Sequence, residues 1–196
     1  MAEFFAALND NHRAFIARQP VFFVATAASD TRINLSPKGM DSFRVLADDR
    51  VAYLDLGGSG NETHAHLSAD GRITIMFCAF DNPALILRIY GRGSFTVAGE
   101  PGYEALAAHF PRLPGARQVF EVAVDSVQTS CGWGVPRMTL EQERLTLVKY
   151  HAQQDPAARL AKIADRTASI DGLPVRVQAV MPAHDGVTGE SAHGAG

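Results

Sequence analysis

Strand-like runs follow one another along most of this chain of 196 residues, with only short helical segments between them. The clearest are residues 72–80 and 84–97, which read RITIMFCAF and ALILRIYGRGSFTV and are rich in β-branched and aromatic side chains. Neighbouring parallel strands need a crossover of about a dozen residues or more, usually a helix, and most such crossovers are missing. The sequence therefore predicts a mainly β fold with flanking helices (α+β), built around a small antiparallel barrel.

The remaining elements follow from periodicity and from turn residues. Further strands are predicted at residues 21–27, 32–35, 43–46, 51–56 and 118–128. Helices are predicted at residues 2–19, 61–71, 101–110 and 155–166, with Asn61 and Glu100 in capping positions. The last residues are small, polar and glycine-rich, which is typical of a disordered segment. We therefore expect a single domain over residues 1–182 and a disordered tail over residues 183–196.

Charge and hydropathy exclude several classes of function. The net charge of −3 lacks the basic excess of a nucleic-acid-binding protein, so no nucleic-acid partner is expected. No apolar run reaches the roughly eighteen residues of a membrane span, and the acidic N-terminal region does not resemble a secretory signal. The two cysteines, Cys78 and Cys131, form no CxxC pair and are expected to be reduced thiols, so we expect a cytoplasmic protein.

The glycine-rich loop at residues 57–60 is the first candidate for a binding site. It follows a predicted strand and precedes a predicted helix, so backbone N–H groups and the positive end of the helix dipole could face an anion. Ser59, Asn61 and Thr63 would add side-chain donors. The plainer alternative is a flexible turn in front of a well-capped helix. The loop lacks the Lys-Ser/Thr pair of a P-loop and the third glycine of a dinucleotide fingerprint.

The segment Asn34-Leu35-Ser36-Pro37-Lys38-Gly39 is the second candidate. Lys38 carries a point charge on a long stem, and Ser36 can donate a hydrogen bond, so the pair suits a phosphate. The alternative is a solvated lysine in a turn. By contrast, His64 and His66 lie on different sides of their helix, and no metal site is predicted.

Five segments taken in order resemble one known family. They are INLSPKG at residues 33–39, VAYLDLGGSGNET at 51–63, RITIMF at 72–77, LRIYGRG at 87–93 and CGWGVPRM at 131–138. Together they resemble the pyridoxamine 5'-phosphate oxidase-like family of FMN-binding proteins, most closely its oxidase-related branch. This resemblance implies an antiparallel split β-barrel that forms a homodimer, with the flavin at the dimer interface.

The resemblance also implies which residues contact the cofactor. The segment of Asn34, Ser36, Pro37 and Lys38 would run beside the isoalloxazine ring and the ribityl chain. Asp55, Ser59, Asn61, Glu62 and Thr63 would hold the ribityl and phosphate end. A loop of the second subunit, containing Trp133, Gly134 and Val135, would cover the ring.

Two departures from the family pattern argue against the namesake reaction. Members that oxidise pyridoxamine phosphate carry Ser-Arg-Lys in the phosphate loop, where this chain has Asn61-Glu62-Thr63. Their arginine-rich C-terminal substrate motif has no clear match. The sequence therefore indicates an FMN-dependent oxidoreductase that acts on an unidentified small-molecule substrate or reductant, with no catalytic residue identified. The alternatives are a non-enzymatic flavin-binding sensor or storage protein, and a split barrel that uses a deazaflavin or haem.

Overall fold

The computed structural model describes residues 2–155, 158, 161–162 and 165–176. Within these residues the strands are β1 (Glu3–Phe5), β2 (Phe22–Thr26), β3 (Asn34–Lys38), β4 (Phe43–Ala47), β5 (Arg50–Leu56), β6 (Arg72–Cys78), β7 (Leu85–Val97) and β8 (Ala116–Cys131). The helices are α1 (Asp10–Ala17), α2 (Glu62–Ala69), α3 (Tyr103–Ala107) and α4 (Thr146–Ala152). None of these helices has the length and apolar character needed to cross a bilayer.

The strands form one antiparallel sheet in the order β3-β2-β6-β7-β8-β5-β4, and β1 pairs with β8. Strands β3 and β4 are the two ends of this order, and no backbone ladder joins them within the described residues. The sheet is therefore a barrel that stays open along one side, which confirms the predicted antiparallel split β-barrel with flanking helices. The two longest strands, β7 and β8, pair from Leu85↔Cys131 to Val97↔Gln118 and form the centre of the sheet.

The barrel interior is filled by apolar side chains that alternate along the strands. The largest fully buried ones include Tyr53, Phe77, Phe120, Leu87 and Ile89. The Tyr53 and Phe120 rings are stacked with centroids 4.9 Å apart, at positions where β5 and β8 pair. This packing fixes the strands that carry the polar residues described below.

Strand β3 presents its residues alternately to two sides, as a strand must. Asn34, Ser36 and Lys38 are half-buried on one side, whereas Leu35 and Pro37 are exposed on the other. Residues 36–39 were expected to form a turn, but residues 36–38 continue the strand. Proline is tolerated there because β3 is an edge strand whose ladder hydrogen bonds go to β2 alone.

The helix predicted over residues 2–19 is wrong in its first half. Residues Glu3–Phe5 pair with β8 as a strand, and the helix begins only after Asn9. The Asn9 side chain accepts a hydrogen bond from the His12 N–H, and the His12 ring accepts one from the Asn9 N–H. This capping box stops the helix from extending toward residue 2.

Other elements differ in length. Helix α3 starts at Tyr103 and ends at Ala107, and Glu100 does not cap it, because its carboxylate accepts from the Val97 N–H. Helix α4 was not predicted. For the helix predicted from Asp155 to Arg166, the Asp155 carboxylate does accept from the Ala158 N–H, but several residues of that segment lie outside the described residues. The tail predicted at residues 183–196 also lies outside them.

Candidate functional site

The open side of the barrel contains a pocket of about 230 Å³ between β3, β5 and the start of α2. We call it the β3–α2 pocket. Eight of the residues singled out from the sequence line it: Asn34, Ser36, Lys38, Asp55, Ser59, Asn61, Glu62 and Thr63. Leu56, Gly58, Gly60, Arg117 and Phe120 complete the lining. The structure therefore brings together two segments whose nearest lining residues, Lys38 and Asp55, are 17 positions apart in the chain.

The buried carboxylate of Asp55 organises the pocket. Lys38 Nζ lies 3.2 Å from Asp55 Oδ1, and Arg117 Nε lies 2.6 Å from Asp55 Oδ2. Gln118 Nε2 donates to the same Oδ2 at 2.8 Å. Burial raises the pKa of Asp55. The charges of Arg117 and Lys38 and the hydrogen bonds from Gln118 and Arg117 together lower it by more, so the pKa of Asp55 lies below the usual value. Asp55 is thus a carboxylate that holds two cations in place, and through Lys38 it ties β3 to β5 across the open side.

The first turn of α2 is not capped by a side chain, although Asn61 stands in the capping position. Asn61 Oδ1 instead accepts a hydrogen bond from Gln118 Nε2 at 2.8 Å. The first N–H groups of a helix have no partner within the helix, so they remain available to an anion. The carboxylate of Glu62 accepts from the Ile170 N–H at 3.1 Å, which draws its charge toward the C-terminal segment.

Asn34 links β3 to α2. Its Nδ2 donates to Thr63 Oγ1 at 3.0 Å and lies 3.3 Å from Thr26 Oγ1. The Thr63 hydroxyl accepts that bond, so its own proton remains available to another acceptor. The Tyr53 hydroxyl is buried beside Thr63: burial, followed by the nearby Asp55 charge, raises its pKa well above the usual value, and interaction with the Thr63 hydroxyl offsets part of that rise.

A chain of hydrogen bonds runs from Asp55 through Gln118 to His64. His64 Nδ1 donates to Gln118 Oε1 at 2.9 Å, and His64 Nε2 accepts from the Arg176 N–H at 3.0 Å. The ring is fully buried, and burial lowers the pKa of His64. His64 is therefore a neutral imidazole with one donating and one accepting nitrogen, and protonation would cost it the bond to Arg176.

This geometry predicts that stability falls on acidification. Because the pKa of His64 is lower in the folded state, the unfolded chain binds more protons below pH 6.5, and the free energy of unfolding should drop there. A second drop in the free energy of unfolding should follow below about pH 3.8, where Asp55 takes up a proton in the unfolded chain but stays ionised in the folded one. Chemical denaturation at pH 7 and pH 5 measures the first drop, which His64→Asn should reduce. An equal loss in both proteins would contradict this role of His64.

The glycine loop is held from behind by residues far along the chain. His151 Nε2 donates to Gly57 O at 2.7 Å, and Arg166 Nη1 donates to Gly58 O and Ser59 O at 2.7 and 2.8 Å. The Gly57 N–H donates to Gly115 O at 2.9 Å. The loop that looked flexible in the sequence is therefore fixed on its outer side.

Four of the residues singled out from the sequence do not line this pocket. Pro37 lies on the exposed side of β3, because strand alternation separates it from Ser36 and Lys38. Trp133, Gly134 and Val135 follow the end of β8, and the Trp133 side chain is 86% exposed. The role of these three residues was expected to be in a second subunit, and it remains a prediction.

The sequence did not indicate Arg117, Gln118 or His151. The predicted strand began at Gln118, so Arg117 lay outside it, and the irregular pairing beside Asp55 that brings both side chains to this carboxylate has no signal in the sequence. Gln118 is an uncharged amide in a strand, and a residue of this type does not by itself indicate a binding site. His151 lies on the unpredicted helix α4, and nothing local in the sequence connects it to Gly57.

Comparison with known proteins gives a consistent picture. Residues 8–131 match the family model described as pyridoxamine 5'-phosphate oxidase. The pyridoxamine 5'-phosphate oxidase family protein ustO of Aspergillus flavus is 39% identical over 183 residues, which cover 89% of this chain and 72% of that protein.

Two solved structures share the fold. HupZ of Group A Streptococcus aligns with a TM-score of 0.52 and 23% identity, covering 63% of this chain and 99% of that one. A candidate pyridoxamine 5'-phosphate oxidase of Lactobacillus delbrueckii aligns with a TM-score of 0.51 and 15% identity, covering 63% and 94%. The aligned share of this chain leaves room for segments outside the common barrel.

Proposed function

Because this chain belongs to the pyridoxamine 5'-phosphate oxidase family, we propose that it binds FMN in the β3–α2 pocket and acts as an FMN-dependent oxidoreductase on an unidentified small molecule. The observation that carries the proposal is the convergence of Lys38, Asp55, Arg117 and the uncapped start of α2 on one pocket. These elements supply a cation beside a strand edge and free donors at a helix start.

The donors of the pocket fit a phosphate at the α2 end. The first N–H groups of α2 and the hydroxyls of Ser59 and Thr63 are neutral donors. Arg117 uses Nε on Asp55 and Nη2 on Gly60 O, so three of its five N–H donors remain for an anion. The two cations and two carboxylates of the lining cancel, and Glu62 is engaged by Ile170, so these directed donors rather than net charge would hold the phosphate.

The residues of β3 fit the ring end of the same ligand. Asn34, Ser36 and Lys38 face the pocket along an open strand edge, where a flat ring could lie against them. A bound flavin supplies the hydride- or electron-accepting ring, and the protein supplies its orientation. Lys38, held by Asp55, would place a fixed positive charge next to the ring and favour its electron-rich reduced form.

We also propose that the chain works as a homodimer with the flavin at the interface. The β3–α2 pocket is smaller than the roughly 300–1,000 Å³ of typical small-molecule sites, so one chain encloses only part of such a ligand. Large apolar side chains remain exposed on β3 and after β8, among them Leu35, Trp133, Met138 and Leu140. Apolar surface of this kind marks a surface for another protein chain.

The free thiols Cys78 and Cys131 favour a reducing compartment such as the cytoplasm.

The flavin assignment is tested by spectroscopy and turnover. We expect the purified protein to show flavin absorbance or to take up FMN, and to oxidise a reduced nicotinamide when FMN is bound. Bound FMN without any turnover would favour a flavin sensor or storage protein instead. An absorbance spectrum typical of haem, or tighter binding of a deazaflavin than of FMN, would show that the cofactor is not FMN.

Trp133 provides a direct test of the dimer, because it is the only tryptophan in the chain. If Trp133 of one subunit covers the flavin of the other, FMN should quench most of the tryptophan fluorescence, and the quenching should require the dimer. Sedimentation and fluorescence titration on the same samples measure both quantities. A monomer that binds FMN at full affinity, or a tryptophan that FMN leaves unquenched, would contradict the arrangement.

The phosphate end of the site is tested by Thr63→Ala. A hydrogen bond to a charged group is worth about 1.5–3 kcal/mol, so FMN should bind about tenfold more weakly or worse, whereas riboflavin should be nearly unaffected. Thr63→Ser keeps the hydroxyl and is the matched control, with little change for either ligand. Titration of both ligands against all three proteins decides the matter. If Thr63→Ala weakens riboflavin as much as FMN, the phosphate does not lie at the start of α2.

A further inference from the structure

A second cavity, of about 350 Å³, lies on the other side of the glycine loop. Helix α4, the start of β8 and the C-terminal residues Lys162, Arg166, Val175 and Arg176 line it, and we call it the α4 cavity. It shares Gly58, Ser59, Asn61 and Arg117 with the β3–α2 pocket, so the glycine loop contributes to both cavities. The barrel supplies one side of this cavity, whereas α4 and the C-terminal segment, which form the other side, lie beyond the residues of the family match.

The charges around the α4 cavity all have one sign among the described lining residues. Arg117, Lys162, Arg166 and Arg176 line it, and no carboxylate does. Two of these cations are compensated by carboxylates just outside the lining, because Arg117 pairs with Asp55 and Arg176 pairs with Glu100.

Lys162 and Arg166 are not compensated in this way. Lys162 makes no ion pair with a described residue, and Arg166 donates to the carbonyl oxygens of Gly58 and Ser59. Two full positive charges therefore face a space with no described counter-charge. A concave site with one sign of charge concentrates ligands of the opposite sign.

The uncharged part of the lining is mixed: Ser59, Asn61, Gln118, His151 and Gln154 are polar, and the others include a group of apolar side chains. Val97, Leu147, Val175 and the ring of Tyr150 contribute to it, and the volume falls within the usual range of small-molecule sites. A bare inorganic ion would leave these side chains without a partner. We propose that the α4 cavity binds a small organic anion, with an acidic group toward Lys162 and Arg166 and an apolar body against Leu147 and Val175. This site adjoins the proposed flavin site, but Lys162, Arg166, Leu147 and Val175 do not line the β3–α2 pocket, so the inference does not depend on the proposed function.

The fluorescent aromatic sulfonate 8-anilinonaphthalene-1-sulfonate is a suitable probe, because it combines an anionic group with an apolar body. We expect the full-length protein to bind the probe at a saturable site, and Lys162→Ala to weaken that binding about tenfold through the loss of a charge-assisted bond. Lys149→Ala removes an equivalent charge from an exposed position on α4 that does not line the cavity, and it should change the affinity less than about twofold. Leu147→Trp fills the cavity and should abolish the saturable binding.

Competition and flavin titration complete the test. Benzoate should displace the probe at concentrations where inorganic phosphate does not, because only benzoate has an apolar body. FMN affinity should be the same in Lys162→Ala and in the unchanged protein. Equal weakening by Lys162→Ala and Lys149→Ala, displacement by phosphate as effective as by benzoate, or a parallel loss of FMN binding in Lys162→Ala would each overturn the proposal. The last result would make the cavity part of the flavin site, whereas failure of FMN binding in every protein would concern the proposed function alone.

Discussion

Replacing Asp55 with alanine is expected to lower the free energy of unfolding by about 3–5 kcal/mol, the range for breaking a buried ion pair from one side. The substitution leaves Lys38 and Arg117 without their carboxylate, and Gln118 without one of its two acceptors. Lys38 would also no longer tie β3 to β5 across the open side of the barrel. FMN binding should be lost together with stability, because the pocket depends on the same three partners.

A matched control shows whether burial is the cause. Asp125→Ala removes an exposed carboxylate from β8, where it should change stability by less than about 0.5 kcal/mol. The double variant Asp55→Ala with Lys38→Met should recover part of the loss, since it leaves one uncompensated charge fewer. Denaturant unfolding of the four proteins measures these differences. A cost for Asp55→Ala no larger than that for Asp125→Ala would mean that the pair contributes little.

Gly115→Ala is expected to cost about 2–4 kcal/mol, from backbone strain and from the displacement of a buried histidine. Gly115 has a φ of +93°, which side chains rarely adopt, and a Cβ there would lie 2.2 Å from Cδ2 of His151. The ring would have to move, which breaks its hydrogen bond to Gly57 O. The glycine loop would then lose one of its outer supports, and FMN should bind more weakly.

Three further variants, Gly102→Ala, His151→Ala and His151→Ala combined with Gly115→Ala, separate strain from collision. Gly102 has a similar φ of +88° but open space around it, so Gly102→Ala should show the cost of strain alone. Adding His151→Ala to Gly115→Ala removes the ring that the new methyl group would meet, so the two changes together should cost less than the sum of the single changes. Thermal or denaturant unfolding supplies all four values. Equal costs for Gly115→Ala and Gly102→Ala would show that His151 moves freely.

The strand pattern predicted the fold well, because alternation and short connections are local signals. The antiparallel split barrel and the family are confirmed, and most strands from β2 to β7 lie close to their predicted positions. The helix predicted for the N-terminal segment was wrong in its first half, and the reason lies outside the local sequence. Phe4 and Phe5 suit either a helix face or a strand, and pairing with Gln128 and Val127, far along the chain, decides for the strand.

The candidate site was predictable where chain segments carry their own signal. Lys38 and the loop at residues 57–63 stand out by residue type, and the structure places them around one pocket. Arg117 and His151 could not be found in this way, because their roles depend on which strand and helix pack beside the loop. Asn61 shows the reverse case. Its position predicts a helix cap, but a long-range partner, Gln118, takes its side-chain oxygen.

The contacts that fix the glycine loop also bear on the order of events during synthesis. Arg166 reaches Gly58 across 108 positions of the chain, and Asp171 reaches the backbone of Arg32 across 139. Contacts of such large sequence separation form late in folding, since their loop-closure entropy must be offset by structure already present. During translation the barrel strands emerge first, and the loop stays without its outer support until His151 and Arg166 have left the ribosome. If the β3–α2 pocket binds FMN as proposed, the cofactor would be captured only after these late contacts have formed.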